Sequence, residues 1–379
     1  MTRPLDGLIV VALEQAVAAP FCTMRLADAG ARVIKLERPE GDFARGYDDV
    51  AVGQSSYFVW LNRGKESVVV DLRRESDRAL FLALVAEADV FIQNLKPGAI
   101  DRMGYSVDSL CQKHPRLIGC SISGYGETGP MAERKAYDLL VQAESGLASI
   151  TGGPSEAARV GFSIVDIATG AAAAQAILEA LYGRNRTDRG VHVRLSMFDT
   201  IVEWMAVPFL HAAKGHPPKR IGLAHPSIAP YGVFLSKDSK PILISIQNER
   251  EWLGLCQGVL DDPVLVTDTR FSSNVARVQN RDETDARVSA GFAGLESLEL
   301  VRRLSGADIA FAFVNELTDL LTHPQLHTIA VETPSGILDV PAPPANWADG
   351  PRRYGAVPAL GAHNESIRNQ FFDKRSTAL

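Results

Sequence analysis

The sequence predicts an α/β protein with a parallel, doubly wound sheet in its first half and a smaller α+β domain after it. Three observations carry this reading. Short apolar runs alternate with helical segments as far as residue 123, residues 214–230 are rich in Pro, Gly and basic side chains, and two β-rich runs then follow each other closely. Strands separated by helices call for parallel pairing, whereas strands joined by a short polar turn call for a hairpin.

Residues 7–13 (GLIVVAL) read as a strand, 20–30 as a helix ending at Gly30, and 32–37 (RVIKLE) as a strand stopped by Arg38-Pro39. Residues 67–72 (SVVVDL) form a third strand. The helix at 74–88 opens with acids and sets Leu80 with Leu84, and Phe81 with Val85, at i,i+4 spacing. Residues 89–95 (DVFIQNL) make a fourth strand, followed by a helix around 98–112 and the strand 116–123 (RLIGCSIS). Ligands of such sheets bind beyond the carboxyl ends of the strands, which puts Arg38, Asn94 and the Gly124–Gly129 loop on the functional edge. Residues 214–230 read as a linker. Beyond it YGVFLS and PILISI flank Lys237-Asp238-Ser239-Lys240 as a hairpin, and helices fall near 249–258, 293–304 and 314–321, which outlines a small domain over about 225–330. GILDVPAPP (336–344) is a strand broken by prolines, and a helix near 362–373 ends the chain.

A length of 379 residues predicts two domains, and 46% hydrophobic content is ample for their cores. A net charge of −6 argues against non-specific nucleic-acid binding. Cys22, Cys111, Cys120 and Cys256 form no CxxC pair, as expected of reduced thiols in a cytoplasmic protein without a zinc site. The N-terminal run is too short, and too soon followed by Glu14, to be a signal peptide.

Residues 161–182 (GFSIVDIATGAAAAQAILEALY) stand out. Alanine favours helix, so 168–182 reads as a closely packed helix with one acid, Asp166, just ahead of it. Asp166, Gln175 and Glu179 interrupt the run, which fits a core helix better than a membrane span. Asp166 reads either as a cap, ionised in the positive end of the helix dipole, or as a catalytic acid. Residues 124–129 spell GYGETG, but Pro130 follows at once and no strand ending in an acid comes about 20 residues on, so the loop is a tight turn rather than a dinucleotide fingerprint. Arg38, Arg63, Lys65, Lys96, Arg102 and Lys135 fall in or near loops on the ligand edge, a spread that suits a long ligand with several phosphates.

At this point the chain resembles the class III CoA-transferase family, which also includes α-methylacyl-CoA racemases. The resemblance runs through PLDGLIVVALEQAVAAP, ADAGARVIKLERPEGD, WLNRGKESVVVDL, ADVFIQNLKPGAIDRMG, LIGCSISGYGETGP, KAYDLLVQAESGLASITG, the Asp166 helix, GVHVRLSMFD and PALGAH, in that order. It implies a Rossmann-like large domain built from both chain ends (1–213 and 331–379), a small domain, and an interlocked homodimer. It implies that Asp166 is the nucleophile and that Val17, Arg38, Leu61, Lys65, Asn94, Leu95, Arg102, Lys135 and Tyr137 contact coenzyme A. The implied reaction passes through a mixed anhydride and an aspartyl-CoA thioester and requires no metal.

Racemases of the superfamily place a histidine where this chain has Tyr137, and a free tyrosine with a pKa near 10 is a poor base at neutral pH. The resemblance therefore favours transfer over racemisation. GDFARGYD (41–48), EQAVAAP (14–20) and LNRGKES most resemble the branch that moves CoA between succinate and C5 dicarboxylates such as itaconate, mesaconate or citramalate. Arg45 is then the first candidate for the distal carboxylate and His225 the second, the alternatives being that Arg45 pairs with Asp42 or Asp48 and that His225 only supports the interdomain turn. Oxalate is disfavoured, because the chain lacks the run of glycines of formyl-CoA transferases and has Val17 where they carry a glutamine.

Overall fold

The computed structural model describes residues 3–348 and 350–376, the side chains of 372–376 excepted. Two compact units emerge: Met1–Leu147 with Arg159–Phe209 and His327–Leu379, and Ala148–Ala158 with Leu210–Leu326. The short stretch Ala148–Ala158, read from sequence as part of the first domain, belongs to the second unit.

The first unit holds a six-stranded, wholly parallel sheet of β1 (Ile9–Leu13), β2 (Arg32–Glu37), β3 (Lys65–Val69), β4 (Val90–Gln93), β5 (Ile118–Ser123) and β6 (His192–Ser196). Their order is β3-β2-β1-β4-β5-β6. The chain builds outward from β1 to β3, then returns to lay β4 on the other side of β1. The loops after β1 and β4 therefore diverge and leave a crevice at the sheet's carboxyl edge. One face is covered by the Ala18–Asp28 and Ile164–Thr187 helices and the other by the Glu75–Glu87, Val107–Lys113 and Asn364–Ser376 helices. The last of these docks on β3 through Ile367, and Val69 N–H donates to Asn364 Oδ1 (2.7 Å).

Where pattern and structure differ, a local cause is visible. β3 begins at Lys65, two residues ahead of the apolar run, because the Lys65 side chain is buried. The segment 98–112 splits into Ala99–Arg102 and Val107–Lys113, with Gly104 in a left-handed conformation between them. The 336–344 run pairs as Gly336–Pro341 with Thr328–Thr333. In the second unit Tyr231–Leu235 and Pro241–Ser245 form the expected antiparallel hairpin, and Ala310–Phe313 joins as a third strand.

The helix read as 168–182 runs from Ile164 to Thr187. It is long and apolar enough to cross a bilayer by composition. Here Ala173, Ala174 and Ile177 instead pack on Ala18, Ala19 and Cys22 of the crossing helix. Gly170 sits at the crossing, where an added Cβ would lie 2.4 Å from the Ala18 carbonyl oxygen and 3.0 Å from Phe21 Cβ. An alanine at 170 gains about 1 kcal/mol of helix propensity but meets backbone that cannot swing aside. We expect Gly170→Ala to destabilise the protein by about 1–3 kcal/mol, measured by urea unfolding, because overpacking outweighs propensity.

Candidate active site

The crevice is a cleft of ≈ 550 Å³. Gln15–Ala18 after β1, Asn94–Pro97 after β4 and Ser123–Gly124 at the end of β5 form part of its lining, with Lys135–Asp138, Arg159, Ser163 and Asp166. Asp166 is the third residue of its helix, not the residue ahead of it. The cap comes from elsewhere: Asp138 Oδ1 accepts from Val165 N–H (2.7 Å) and Asp166 N–H (3.2 Å). Asp138 Oδ2 accepts from Gln142 Nε2 (2.6 Å), and Gln142 Oε1 accepts from Val160 N–H (2.9 Å).

This arrangement corrects the expectation that the helix start keeps Asp166 ionised. Burial first, and then the neighbouring Asp138 charge, push the Asp166 carboxyl up to about 7 from an ordinary 3.8. That difference corresponds to about 4 kcal/mol, whereas a helix terminus supplies about 0.3–1 kcal/mol in the opposite sense. The carboxyl is thus poised between its two protonation states near neutral pH.

The loops of the cleft are pinned from behind. Gln15 N–H donates to Asn94 Oδ1 (3.0 Å) and Asn94 Nδ2 returns a bond to the Gln15 carbonyl (2.9 Å). Ala16, at φ 62°, donates its N–H to Asp42 Oδ1 (3.1 Å). Asp42 pairs with Lys35 (2.9 Å), Lys35 with Glu14 (3.4 Å), and Glu14 with Lys65 (2.7 Å), all with side chains out of solvent. Burial alone would raise the Glu14 carboxyl, but Lys65 and Lys35 outweigh it and hold Glu14 below its ordinary value. Gly124 is required by close approach, since a Cβ there would lie 2.1 Å from Ala136 Cβ. Gly126 and Gly129 take positive φ, so the glycines of this loop serve turns and packing.

A relay supports the β4 loop. Leu95 N–H donates to Gln93 Oε1 (2.8 Å), so Gln93 Nε2 must face Ser121 Oγ (3.0 Å). Ser121 then gives its proton to His192 Nε2 (2.8 Å), and His192 Nδ1–H points at Asp108 (2.8 Å). Donor and acceptor alternation along this line assigns the His192 tautomer.

A second cleft of ≈ 820 Å³ shares Leu95 and is lined by Arg38, Arg73 and Arg78 among others, beyond β2 and β3. Of the residues picked from sequence, Val17, Asn94, Leu95, Lys135 and Tyr137 line the first cleft with Asp166, and Arg38 lines the second. Leu61, Lys65 and Arg102 line neither. Leu61 is buried against Val17 and Met24. The Lys65 ammonium is bonded to Glu14, the Pro20 carbonyl and Asn62, which uses its three protons. Arg63 is paired with Asp28 (2.5 Å) and Lys96 with Glu133 (3.2 Å).

Both candidates for a distal carboxylate are engaged otherwise. Arg45 pairs with neither Asp42 nor Asp48. Its Nε and Nη2 grip Glu37 at 2.8 Å each, and its guanidinium lies 3.7 Å from the Phe58 ring centroid. Despite burial, the Arg45 hydrogen bonds and the Lys35 charge bring the Glu37 carboxyl down to about 2. His225 belongs to the second unit, stacks on Tyr231 (5.3 Å) and accepts from Ser227 N–H (3.1 Å), which ties down its own turn. Sequence reading passed over Asp138, Arg73, Arg78 and Arg159; the only signal for the second and third was their place after a strand, in DLRRESDR.

CoA-transferase family III matches residues 5–364. The chain belongs to that family. It is 37% identical over 374 residues to acetyl-CoA:oxalate CoA-transferase of Acetobacter aceti, covering 97% of this chain and 96% of the relative. It is 34% identical over 377 residues to succinyl-CoA:glutarate CoA-transferase of Mus musculus, covering 96% and 86%. The crystal structure of a CAIB/BAIF family protein from Brucella suis superposes with a TM-score of 0.83 at 36% identity, covering 98% of this chain and 100% of that one. As a CoA-transferase, the protein moves CoA between an acyl-CoA and a carboxylic acid.

In this CoA-transferase the raised Asp166 pKa has a stability signature. Folding opposes ionisation, so the penalty is absent below the unfolded value near 4 and complete above about 7. Asp166→Asn should therefore be more stable than wild type at pH 8, by up to about 4 kcal/mol, and similar to it at pH 4, as read by urea unfolding at the two pH values.

Proposed function

We propose that the protein transfers CoA from succinyl-CoA to a short dicarboxylic acid of the C5 class through covalent intermediates on Asp166. The observation that carries this reading is the position of Asp166, with its carboxyl poised near pH 7, at the switch point of a parallel sheet. Asp166 attacks the thioester carbonyl, giving a mixed anhydride and CoA thiolate. The thiolate attacks the aspartyl carbonyl, releasing the donor acid and leaving an aspartyl-CoA thioester. The acceptor carboxylate attacks that thioester to form a new anhydride and free thiolate, which then attacks the acceptor's carbonyl and restores Asp166. A carboxylate suits this work because each of its acyl products is itself activated.

The two clefts support an extended acyl-CoA, with phosphates near Arg38, Arg73 and Arg78, the pantetheine arm passing Leu95, and the thioester at Asp166. Asn94, Lys135 and Tyr137 would contact it on the way. The similarity to an oxalate enzyme and a glutarate enzyme supports a dicarboxylate acceptor and reopens oxalate, which the sequence motifs disfavoured. A racemase would need a second base opposite Asp166, and among the described residues no histidine lines the cleft. We also propose a homodimer, supported by exposed Leu178, Tyr182, Trp204, Val207 and Phe209, and a cytoplasmic location, supported by the free thiols of Cys22, Cys111, Cys120 and Cys256.

With succinyl-CoA as donor and a panel of acids as acceptors, mass spectrometry of the CoA products should reveal a dicarboxyl-CoA, and Asp166→Asn should lower transfer about 10⁴-fold or more. Exchange of the α-proton with deuterium in the absence of acceptor would instead support the racemase. The nucleophile must be ionised, so kcat/KM for acyl-CoA should rise with pH through about 7. Asp138→Asn removes the charge that helps raise Asp166 and should move this midpoint to lower pH, measured in the same steady-state assay.

A further inference from the structure

Building on the dicarboxylate reading, we infer that Arg159 is the residue that binds the substrate's distal carboxylate. Four cations line the first cleft: Lys96, Arg134, Lys135 and Arg159. Lys96 is paired with Glu133 (3.2 Å) and Arg134 with Glu144 (2.7 Å). Arg159 gives one N–H to the Gly161 carbonyl (3.0 Å), and its remaining N–H groups meet no carboxylate among the described residues. Lys135 remains beside Tyr137, on the loop that the proposed acyl-CoA path passes, and offers a point charge. A guanidinium presents a planar fork that matches a carboxylate with two parallel bonds.

The position of Arg159 is tied to that of Asp166. The next residue, Val160, donates its N–H to Gln142 Oε1 (2.9 Å), and Gln142 Nε2 donates to Asp138 (2.6 Å). Asp138 is the carboxylate that caps the Asp166 helix. One buried pair of side chains thus holds both the segment that carries the arginine and the helix that carries the acid. An acid with carboxyl groups at both ends can present one to the Asp166 thioester and the other to Arg159. A monocarboxylate cannot. The same site would read the succinyl end of the donor.

The test compares Arg159→Gln and Arg159→Lys with wild type. Acceptors are glutarate, mesaconate, oxalate and pentanoate, with succinyl-CoA as donor. The donor acid leaves before the acceptor reacts, so kcat/KM for the acceptor does not depend on how well the variant handles succinyl-CoA. In Arg159→Gln, kcat/KM for the preferred dicarboxylate should fall about 10–100-fold while that for pentanoate is unchanged, and Arg159→Lys should recover part of the loss. A dicarboxylate-to-pentanoate ratio that Arg159→Gln leaves at the wild-type value overturns the assignment of Arg159 alone. Wild-type transfer to pentanoate but to no dicarboxylate overturns the acceptor class, and the inference with it.

Discussion

The site depends on one carboxylate acting on a helix that is not its own. Asp138 accepts the N–H groups of Val165 and Asp166 and so satisfies the start of the helix that bears Asp166 itself. A serine or aspartate at the N-cap position would do the same locally, but Ser163 makes no side-chain cap bond. Supplying the cap from outside frees Asp166 to face the cleft. It also brings a second negative charge close to Asp166, at a helix terminus that ordinarily attracts anions. Burial and that charge together overcome the dipole, and the acid is left partly protonated near neutral pH.

A second group of buried charges does comparable work for the opposite wall. Glu14, Lys35, Asp42 and Lys65 are removed from solvent, where each ion alone would be costly. Their pairing leaves Asp42 Oδ1 free to take the Ala16 N–H, and Ala16 is held in a left-handed conformation that a non-glycine residue adopts only under constraint. Replacing such a network by well-packed apolar side chains is often neutral or even stabilising, so what this one supplies is the acceptor that shapes the loop rather than stability.

The same networks explain what the sequence could and could not reveal. β1 and β4 were legible because both faces of a parallel strand are buried and their runs are mostly apolar, and β2 and β5 because Val33, Ile34 and Leu36, and Ile118, Cys120 and Ile122, still mark the strand among polar residues. β6 was not, since HVRLS mixes charged and apolar residues on a sheet edge. The acid itself was legible through its alanine-rich helix, but its state was not, because Asp138 lies 28 residues away in sequence. The partner of Lys65 was hidden for the same reason, since Glu14 is 51 residues away, and for Arg45 the nearer acids Asp42 and Asp48 suggested themselves while the actual partner, Glu37, lies across a turn. Basic residues in loops are common, and only the pairing partners reveal which of them can meet a ligand.

The two clefts also differ in what lines them. Beyond β2 and β3, Arg38, Arg73 and Arg78 line the second cavity with Glu37, Glu40 and Asp71, and Arg73 is paired with Asp71 (2.8 Å). Around Asp166 two of the four cations are already paired with glutamates, and Tyr47, Tyr57 and Tyr137 share the lining with the Asp166 carboxyl. A cleft lined by unpaired cations would lower the pKa of Asp166 and weaken it as a nucleophile, because basicity and nucleophilicity fall together. On the proposed acyl-CoA path, arginines beyond Leu95 would hold the ligand by its highly charged end while the acid at the other end retains its raised pKa. The relay from Leu95 through Gln93, Ser121 and His192 to Asp108 fixes the loop that divides the two environments.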